Sequence, residues 1–429
     1  MKILSKHSIF FLILFSLNNI SNAQTDWEVI NSPTNELLRN LYFVDENYGW
    51  AAGRNGVMIR TTNGGDDWTI VNTGITSTIY DLFFLNKNLG WIITFPFTPP
   101  YITKILTTAD GGDTWSVQEY PDEFVFFRTV FFLDSLTGFI GGDFIARTSD
   151  GGQNWARMHV DSSIISEYPV IKFKFYDNIL GYASGGSRDQ AGVMWRTSDG
   201  GFNWTAEGVS PDEVFDFHIK DSLNVIALSG DPEFIYPVVT VTTSDAGLNW
   251  ITTEIPYYTL SYALDFRTPD EGWSASGIFF LYTSDGGINW QMLDTPDTSA
   301  IFDLQFVNDT LGFACGQDGV ILRFTIPDVD SQITVTDFKL YQNFPNPFNS
   351  DTKIRYSLPH SISNEALFYS VQIKVFDILG REVRTIVNEE QSSGFYELEF
   401  KAYGLSSGVY FYTISAGNFK QTKKMILLR

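Results

Sequence analysis

Thr148-Ser149-Asp150-Gly151-Gly152-Gln153-Asn154-Trp155 decides the reading of this chain, because the chain repeats it. Copies stand at Thr61–Trp68 (TTNGGDDW), Thr108–Trp115 (TADGGDTW), Thr197–Trp204 (TSDGGFNW), Thr243–Trp250 (TSDAGLNW) and Thr283–Trp290 (TSDGGINW). Each part of the octapeptide has a local physical role. The Asp carboxylate can accept backbone N–H groups across a tight turn, Gly152 supplies a positive-φ position, and Trp155 packs in the adjacent layer. Asp110, Asp150, Asp199, Asp245 and Asp285, with Trp68, Trp115, Trp155, Trp204, Trp250 and Trp290, are therefore read as structural residues that lock turns.

Tryptophans at 27, 68, 115, 155, 204, 250 and 290 are spaced by 41, 47, 40, 49, 46 and 40 residues. Periods of this size are those of propeller blades. Within each period an aromatic strand is followed by a Gly-containing strand, an apolar strand, the octapeptide turn and a strand beginning near the Trp. The first strands are Leu41–Val44, Leu82–Leu85, Val130–Leu133, Phe173–Tyr176, Phe215–Ile219, Ala263–Arg267 and Leu304–Val307, seven against six octapeptides. The seventh period ends at Val320–Phe324 without a turn motif, while Trp27–Ile30 stands alone at the other end. The expected fold is all-β, a seven-bladed β-propeller closed by its N-terminal strand and followed by a small Ig-like β-sandwich. Closure removes an exposed sheet edge.

The octapeptide resembles the Asp-box, a hairpin turn of β-propellers. Sialidases, sortilin-type receptors and some glucanases share it. The larger repeat, Gly49-Trp50-Ala51-Ala52-Gly53 then Val57–Thr61 and the box, resembles that of photosystem II assembly factors of the plastid and cyanobacterial type, over about residues 25–327. Gly90-Trp91 and Gly272-Trp273 keep part of the Gly-Trp-x-x-Gly element. The resemblance implies the fold; function has to be argued from sites.

After Pro327 the repeats stop, and 328–338 reads as a polar linker. The segment 339–429 opens on Tyr341–Asn349 (YQNFPNPFN), alternates at Lys353–Leu358 and Val371–Asp377, and ends on Thr422–Arg429 (TKKMILLR). These motifs, with VFDILGREV and GLSSGVYFY between them, resemble the type A sorting domain of the type IX secretion system. The resemblance implies a β-sandwich whose Lys423, Lys424, Met425, Ile426, Leu427 and Leu428 belong to the secretion signal read by the outer-membrane translocon. At the other end, Lys2 and Lys6, an apolar run at Ile9–Leu17 and Ser21-Asn22-Ala23 read as a signal peptide over 1–23. The expected domains are thus 1–23, a propeller over 24–327, the linker 328–338 and a sorting domain over 339–429, with the product secreted or on the cell surface after passing through the periplasm.

Charge divides the chain. Residues 24–338 carry 42 Asp+Glu against 15 Lys+Arg, whereas 339–429 carry 8 against 11. A body near −27 argues against nucleic acid or an anionic membrane as partner. No stretch beyond the signal reaches the eighteen or so apolar residues of a membrane helix. Cys315, the only cysteine, reads as a small buried hydrophobe.

For chemistry the sequence offers little. The four histidines, His7, His159, His218 and His360, are isolated, so neither a His-based metal site nor a triad is expected, and no nucleophile elbow, H-E-x-x-H or phosphate-binding glycine loop occurs. No cofactor is expected. Arg60, Arg147, Arg196 and Arg323 share one repeat position ahead of the box or its remnant; they read either as a cationic patch for a carboxylate-bearing partner or as partners of turn carboxylates. Enlarged second-to-third-strand loops bring Phe97, Tyr101, Arg188, Phe234 and Tyr236 to one rim, with Tyr257 and Tyr258 nearby; these suit protein or glycan contact, or pack on themselves. The sequence reading is an exported, non-enzymatic binding or scaffold propeller whose ligand, protein or glycan, is unknown, with a secreted glycoside hydrolase using a rim carboxylate pair as the alternative.

Overall fold

A computed structural model describes residues 27–161, 164–326, 338–341, 343, 346, 348–359, 367–417 and 419–427. The signal segment 1–23, linker residues 328–337 and Leu428 lie outside the described residues. The chain forms two compact units that divide between Phe324 and Thr325. Apart from three short 3-10 turns the described elements are all strands.

The first unit is a succession of antiparallel sheets, each built by consecutive short strands. The first comprises Leu38–Phe43, Gly49–Gly53, Met58–Thr61 and Thr69–Ile70, in that order across the sheet. Six further sheets follow the same order, and the fourth gains a fifth strand, His159–Val160, pairing parallel to Asn203–Ser210. In the last sheet the outer position is taken from the far end of the chain: Trp27 pairs with Phe324 and Ile30 with Ile321. The inner strands of successive sheets touch in cyclic order, and that of the last sheet, Ile301–Phe306, touches both Ala263–Phe266 and Leu38–Phe43.

The Gly-Trp element explains how sheets stack. Trp50 lies flat on Phe84 of the next sheet, centroids 3.6 Å apart, and Trp91 on Phe132 at 3.5 Å. Gly49 is needed because a Cβ there would come within 2.4 Å of the Phe43 ring. Each indole N–H then reaches one sheet further along the sequence than its own box: Trp50 Nε1 donates to Gly111 O at 2.9 Å and Trp91 Nε1 to Gly151 O.

Within a box the threonine matters as much as the aspartate. Thr148 Oγ1 accepts the Gly152 N–H at 3.0 Å and donates to Asp150 Oδ1 at 2.8 Å, and that oxygen accepts the Asn154 N–H at 2.9 Å. Gly151 and Gly152 take φ of 77° and 95°. The fifth-sheet box keeps the geometry with Ala246 at φ 60° in place of the first glycine.

In the second unit, Lys339–Leu340, Asp351–Leu358 and Gly394–Lys401 form one sheet, and Glu382–Ser392, Phe368–Asp377, Gly408–Ala416 and Phe419–Leu427 another. Both contribute to a single core that includes Ile354, Tyr356, Val371, Ile373, Tyr412 and Met425.

Candidate functional site

The inner strands surround a polar channel, and a β-bulge gives it its mouth. In the first sheet the pairing register slips between Leu38 and Asn40, leaving Arg39 as the extra residue; Tyr80, Arg128, Ile171 and Phe302 are the extra residues of four other inner strands. A bulge lets two consecutive residues face the same way. Both Arg39 and Asn40, Tyr80 and Asp81, and Phe302 and Asp303 accordingly line a cavity of about 300 Å³ at the start of the inner strands, the end away from the boxes.

Deeper in, charged residues stitch several of the inner strands to their neighbours. An innermost strand is a sheet edge whose free N–H groups need acceptors. Asp81 Oδ2 accepts the Val130 N–H at 3.0 Å and the Thr129 hydroxyl at 2.7 Å. Asp216 Oδ2 accepts from Leu264, Asp265 Oδ2 from Phe306 and Asp303 Oδ2 from Leu41, at 2.8–2.9 Å. Lys174 pairs with Asp216 at 2.7 Å, Lys172 lies 3.9 Å from Asp81, and His218 Nδ1 meets Asp265 Oδ1 at 2.9 Å. Burial pushes Asp303 up to about 6, with Lys172 opposing and Asp216 adding to the rise. Asp81 is also raised, chiefly by burial. Asp265 stays below the usual carboxylate range: burial works against ionisation there, but the His218 bond and charge outweigh it.

At the mouth two arginines stand without a salt-bridge contact, with the Asp143 and Glu213 carboxylates near enough to act on Arg128. Among the described residues neither Arg39 nor Arg128 has an ion-pair partner. The Arg128 guanidinium sits 5.0 Å over the Phe126 ring, and its Nε is buried without a hydrogen-bond partner. Burial lowers the Arg128 pKa, the mark of a cation held out of water. Tyr80, Phe126, Phe215, Tyr262 and Phe302 complete an aromatic collar.

The sequence-derived candidates fall elsewhere, with one exception. Phe97 packs against Tyr80 and Phe126 of the collar. Tyr101 stacks on Phe124, Tyr257 donates its hydroxyl to Trp290 O at 3.0 Å, and Phe234, Tyr236 and Tyr258 are exposed. Arg188 pairs with Glu233 and lies 3.7 Å from Asp189. Carboxylate oxygens of Asp189, Asp231 and Glu233 come within 4.8 Å of one another, but the two oxygens of Asp231 already accept N–H groups of Glu233, Ile235 and Tyr236.

The four arginines before the boxes do not form one patch; each reaches a turn of the neighbouring sheet. Arg60 binds Gly111 O and Asp113, Arg196 binds Ala246 O, and Arg323 spans Glu28 and Asp66. Arg147 lies 4.1 Å over the Phe202 ring. They act as clamps between adjacent sheets. In the second unit Lys423, Lys424 and Ile426 are part of the closing strand, while Met425 and Leu427 are fully buried in its core.

Two segments match families. Residues 66–207 match the Photosynthesis system II assembly factor YCF48 family, and residues 342–428 match the Secretion system C-terminal sorting domain. In sequence, 106 residues, 24% of the chain, are 28% identical to the Photosystem II assembly lipoprotein Ycf48 of Synechococcus sp. (strain CC9902), a stretch that spans only 30% of that relative. Among solved structures, YCF48 bound to D1 peptide is 23% identical with a TM-score of 0.55, over 71% of this chain and 98% of that one. A GH74 xyloglucanase from Xanthomonas campestris is 11% identical with a TM-score of 0.56, over 77% of this chain and 59% of that one. At these identities the structures share a fold, one that a xyloglucanase and a peptide-bound assembly factor have in common, so the fold alone chooses no activity. No described helix is long and apolar enough to cross a membrane. The chain therefore carries β-propeller repeats of the YCF48 kind ahead of a secretion sorting domain, and that domain marks it for export to the cell surface or the medium.

Proposed function

We propose that this is a non-enzymatic, exported seven-bladed propeller that binds a carboxylate-bearing polypeptide at the loop-side mouth of its channel. Seven sheets with inner strands touching in cyclic order support the blade count, and the pairing of Trp27–Ile30 with Ile321–Phe324 supports closure by the N-terminal strand. Two sheets sharing one core support an Ig-like sandwich for the sorting domain, which engages the type IX translocon. The observation that carries the binding reading is the mouth itself. Arg39 and Arg128 present cationic forks without ion-pair partners inside an aromatic collar, in a unit that is otherwise strongly acidic. The peptide-bound YCF48 structure is consistent with a peptide at such a fold.

The test is titration of the full chain with a labelled acidic peptide ending in a free carboxylate. Arg39→Ala together with Arg128→Ala is expected to weaken binding about tenfold or more, the usual scale for losing charge-assisted bonds to a carboxylate. Unchanged binding would refute the assignment.

One observation favours the hydrolase alternative: Asp303, raised to about 6, shares the channel with Asp81 and Asp216. A general acid needs such a pKa. Against it, both oxygens of Asp303 accept backbone N–H groups, from Leu41 and Leu304. Release of reducing ends from xyloglucan, abolished by Asp303→Asn, would overturn the non-enzymatic reading.

A further inference from the structure

The face carrying the boxes is divided in a way that turn formation does not require. In each of the first six sheets, the fourth box residue donates its backbone N–H to a carbonyl of the turn between the first and second strands. The acceptors are Asn47, Asn88, Leu136, Ile179, Leu223 and Asp270. The sixth box position is likewise Asp66, Asp113, Gln153, Phe202, Leu248 and Ile288. At both positions the side chain is free of turn duties, so its chemistry is open to choice. The apolar choices cluster: Leu136, Ile179, Phe202, Leu223, Leu248 and Ile288 fall on the third to sixth sheets, and the rest of the series is polar or acidic.

All six are more than half exposed, from 52% at Leu223 to 78% at Ile288. Scattered apolar side chains on a surface need no explanation, but a run over four consecutive sheets is a patch. The sheets concerned are tied edge to edge on this face. Arg147 of the third covers Phe202 of the fourth, Arg196 of the fourth binds Ala246 O of the fifth, and Lys220 of the fifth binds Gly286 O of the sixth. These cations are consumed within the fold. What remains between the apolar side chains is negative, since Asp134, Asp177 and Asp221 open the turns that carry Leu136, Ile179 and Leu223. Turn N–H groups hold Asp177 and Asp221 ionised well into the acid range, and the same bonds outweigh desolvation at Asp134.

We infer that this apolar arc docks a cationic amphipathic segment of a partner polypeptide, its apolar side on the arc and its Lys or Arg side chains among the turn aspartates. Charge decides between occupants. A second copy would bring another body near −27 against this one, and an anionic lipid surface would be repelled in the same way. The surface lies at the opposite end of the propeller from Arg39 and Arg128, so this inference stands or falls apart from the mouth.

The experiment uses the full chain and three synthetic peptides of equal length: alternating Leu/Lys, Lys/Ser and Leu/Glu. The Leu/Lys peptide is expected to bind, and the other two to bind at least about tenfold more weakly. Ile179→Ser, Leu248→Ser and Ile288→Ser together are expected to weaken the Leu/Lys peptide about tenfold or more, a loss typical of removing apolar anchors. Because these side chains are exposed, the denaturation midpoint should hold. Undiminished binding by the triple variant overturns the proposal, as does a Lys/Ser peptide that binds equally well. So does self-association in sedimentation equilibrium, or capture by phosphatidylglycerol vesicles, that the triple variant abolishes.

Discussion

Trp27 offers the sharpest test of how the two ends of the first unit are joined. It is 4% exposed and its ring lies 5.2–5.9 Å from those of Phe280, Phe324, Phe306 and Trp273. Two of these partners belong to the preceding sheet, so the side chain joins two sheets besides pairing its own strand. Trp27→Ala should cost about 3–5 kcal/mol, the usual range for emptying a buried aromatic site. The indole Nε1, however, is buried without an acceptor. Trp27→Phe removes an unsatisfied donor worth about 1–3 kcal/mol along with part of the ring, so its net loss should stay below about 1.5 kcal/mol. Val29, on the same strand but half exposed, should tolerate Ala within about 0.5 kcal/mol. Urea titration followed by tryptophan fluorescence reads this unit alone, because all 11 tryptophans precede Phe324. Loss of the strand would also uncover Ile321–Thr325 as an edge, visible as early proteolysis. The reasoning fails if Trp27→Ala falls within about 1 kcal/mol of the parent, or if Val29→Ala costs as much.

Two more expectations follow from the same geometry. Hydrogen bonds from Thr114, Asn154 and Asn249 hold Asp110, Asp150 and Asp245 at about 2, below the ordinary value, so their contribution is present above about pH 4 and lost as pH falls toward 2. Asp303, raised to about 6, works oppositely: its protonation favours the fold as pH falls through 6. The melting temperature should hold or rise between pH 7 and about 4.5 and drop steeply below 4; a continuous decline beginning at pH 6 would contradict the assignment. Arg323→Ala, losing Glu28 and Asp66 at a site with exposed carboxylates, should cost about 1 kcal/mol and leave acidic-peptide binding unchanged within about twofold. A binding loss without a stability loss would restore the arginine to a ligand site.

The repeats were legible because their signals are local. A Thr-x-Asp-Gly-Gly turn satisfies its own hydrogen bonds within eight residues, so its spelling announces its structure wherever it occurs. The mouth was not legible because it depends on bulges. Strand alternation sends Arg39 and Asn40 to opposite faces, and only the register slip after Leu38 brings both to the channel. A weaker signal was present: Arg39, Tyr80, Arg128, Ile171 and Phe302 all stand two residues before the first strand of their repeat as read from the sequence, and Asp81 and Asp303 one before. The box-adjacent arginines share a repeat position too, but their partners lie on the neighbouring sheet, 51 residues on for Arg60 and Gly111, and sequence spacing alone does not show that separation.

The channel also shows why an acidic ring need not be a catalytic one. Inner strands that touch one another in cyclic order have no further strand to receive their N–H groups, and water alone would leave a wet, loosely held centre. A carboxylate from each of several sheets accepts the next strand's N–H instead, which fixes the angle between neighbours at the cost of burying charge. Asp81, Asp216 and Asp303 meet that cost with Lys172 and Lys174, drawn from the one inner strand that alternates cation and phenylalanine, Lys172-Phe173-Lys174-Phe175. Carboxylates so engaged have few lone pairs left for a substrate. The groups left over include the arginines at one end and the apolar turns at the other, the two surfaces proposed to meet a partner without dismantling the fold.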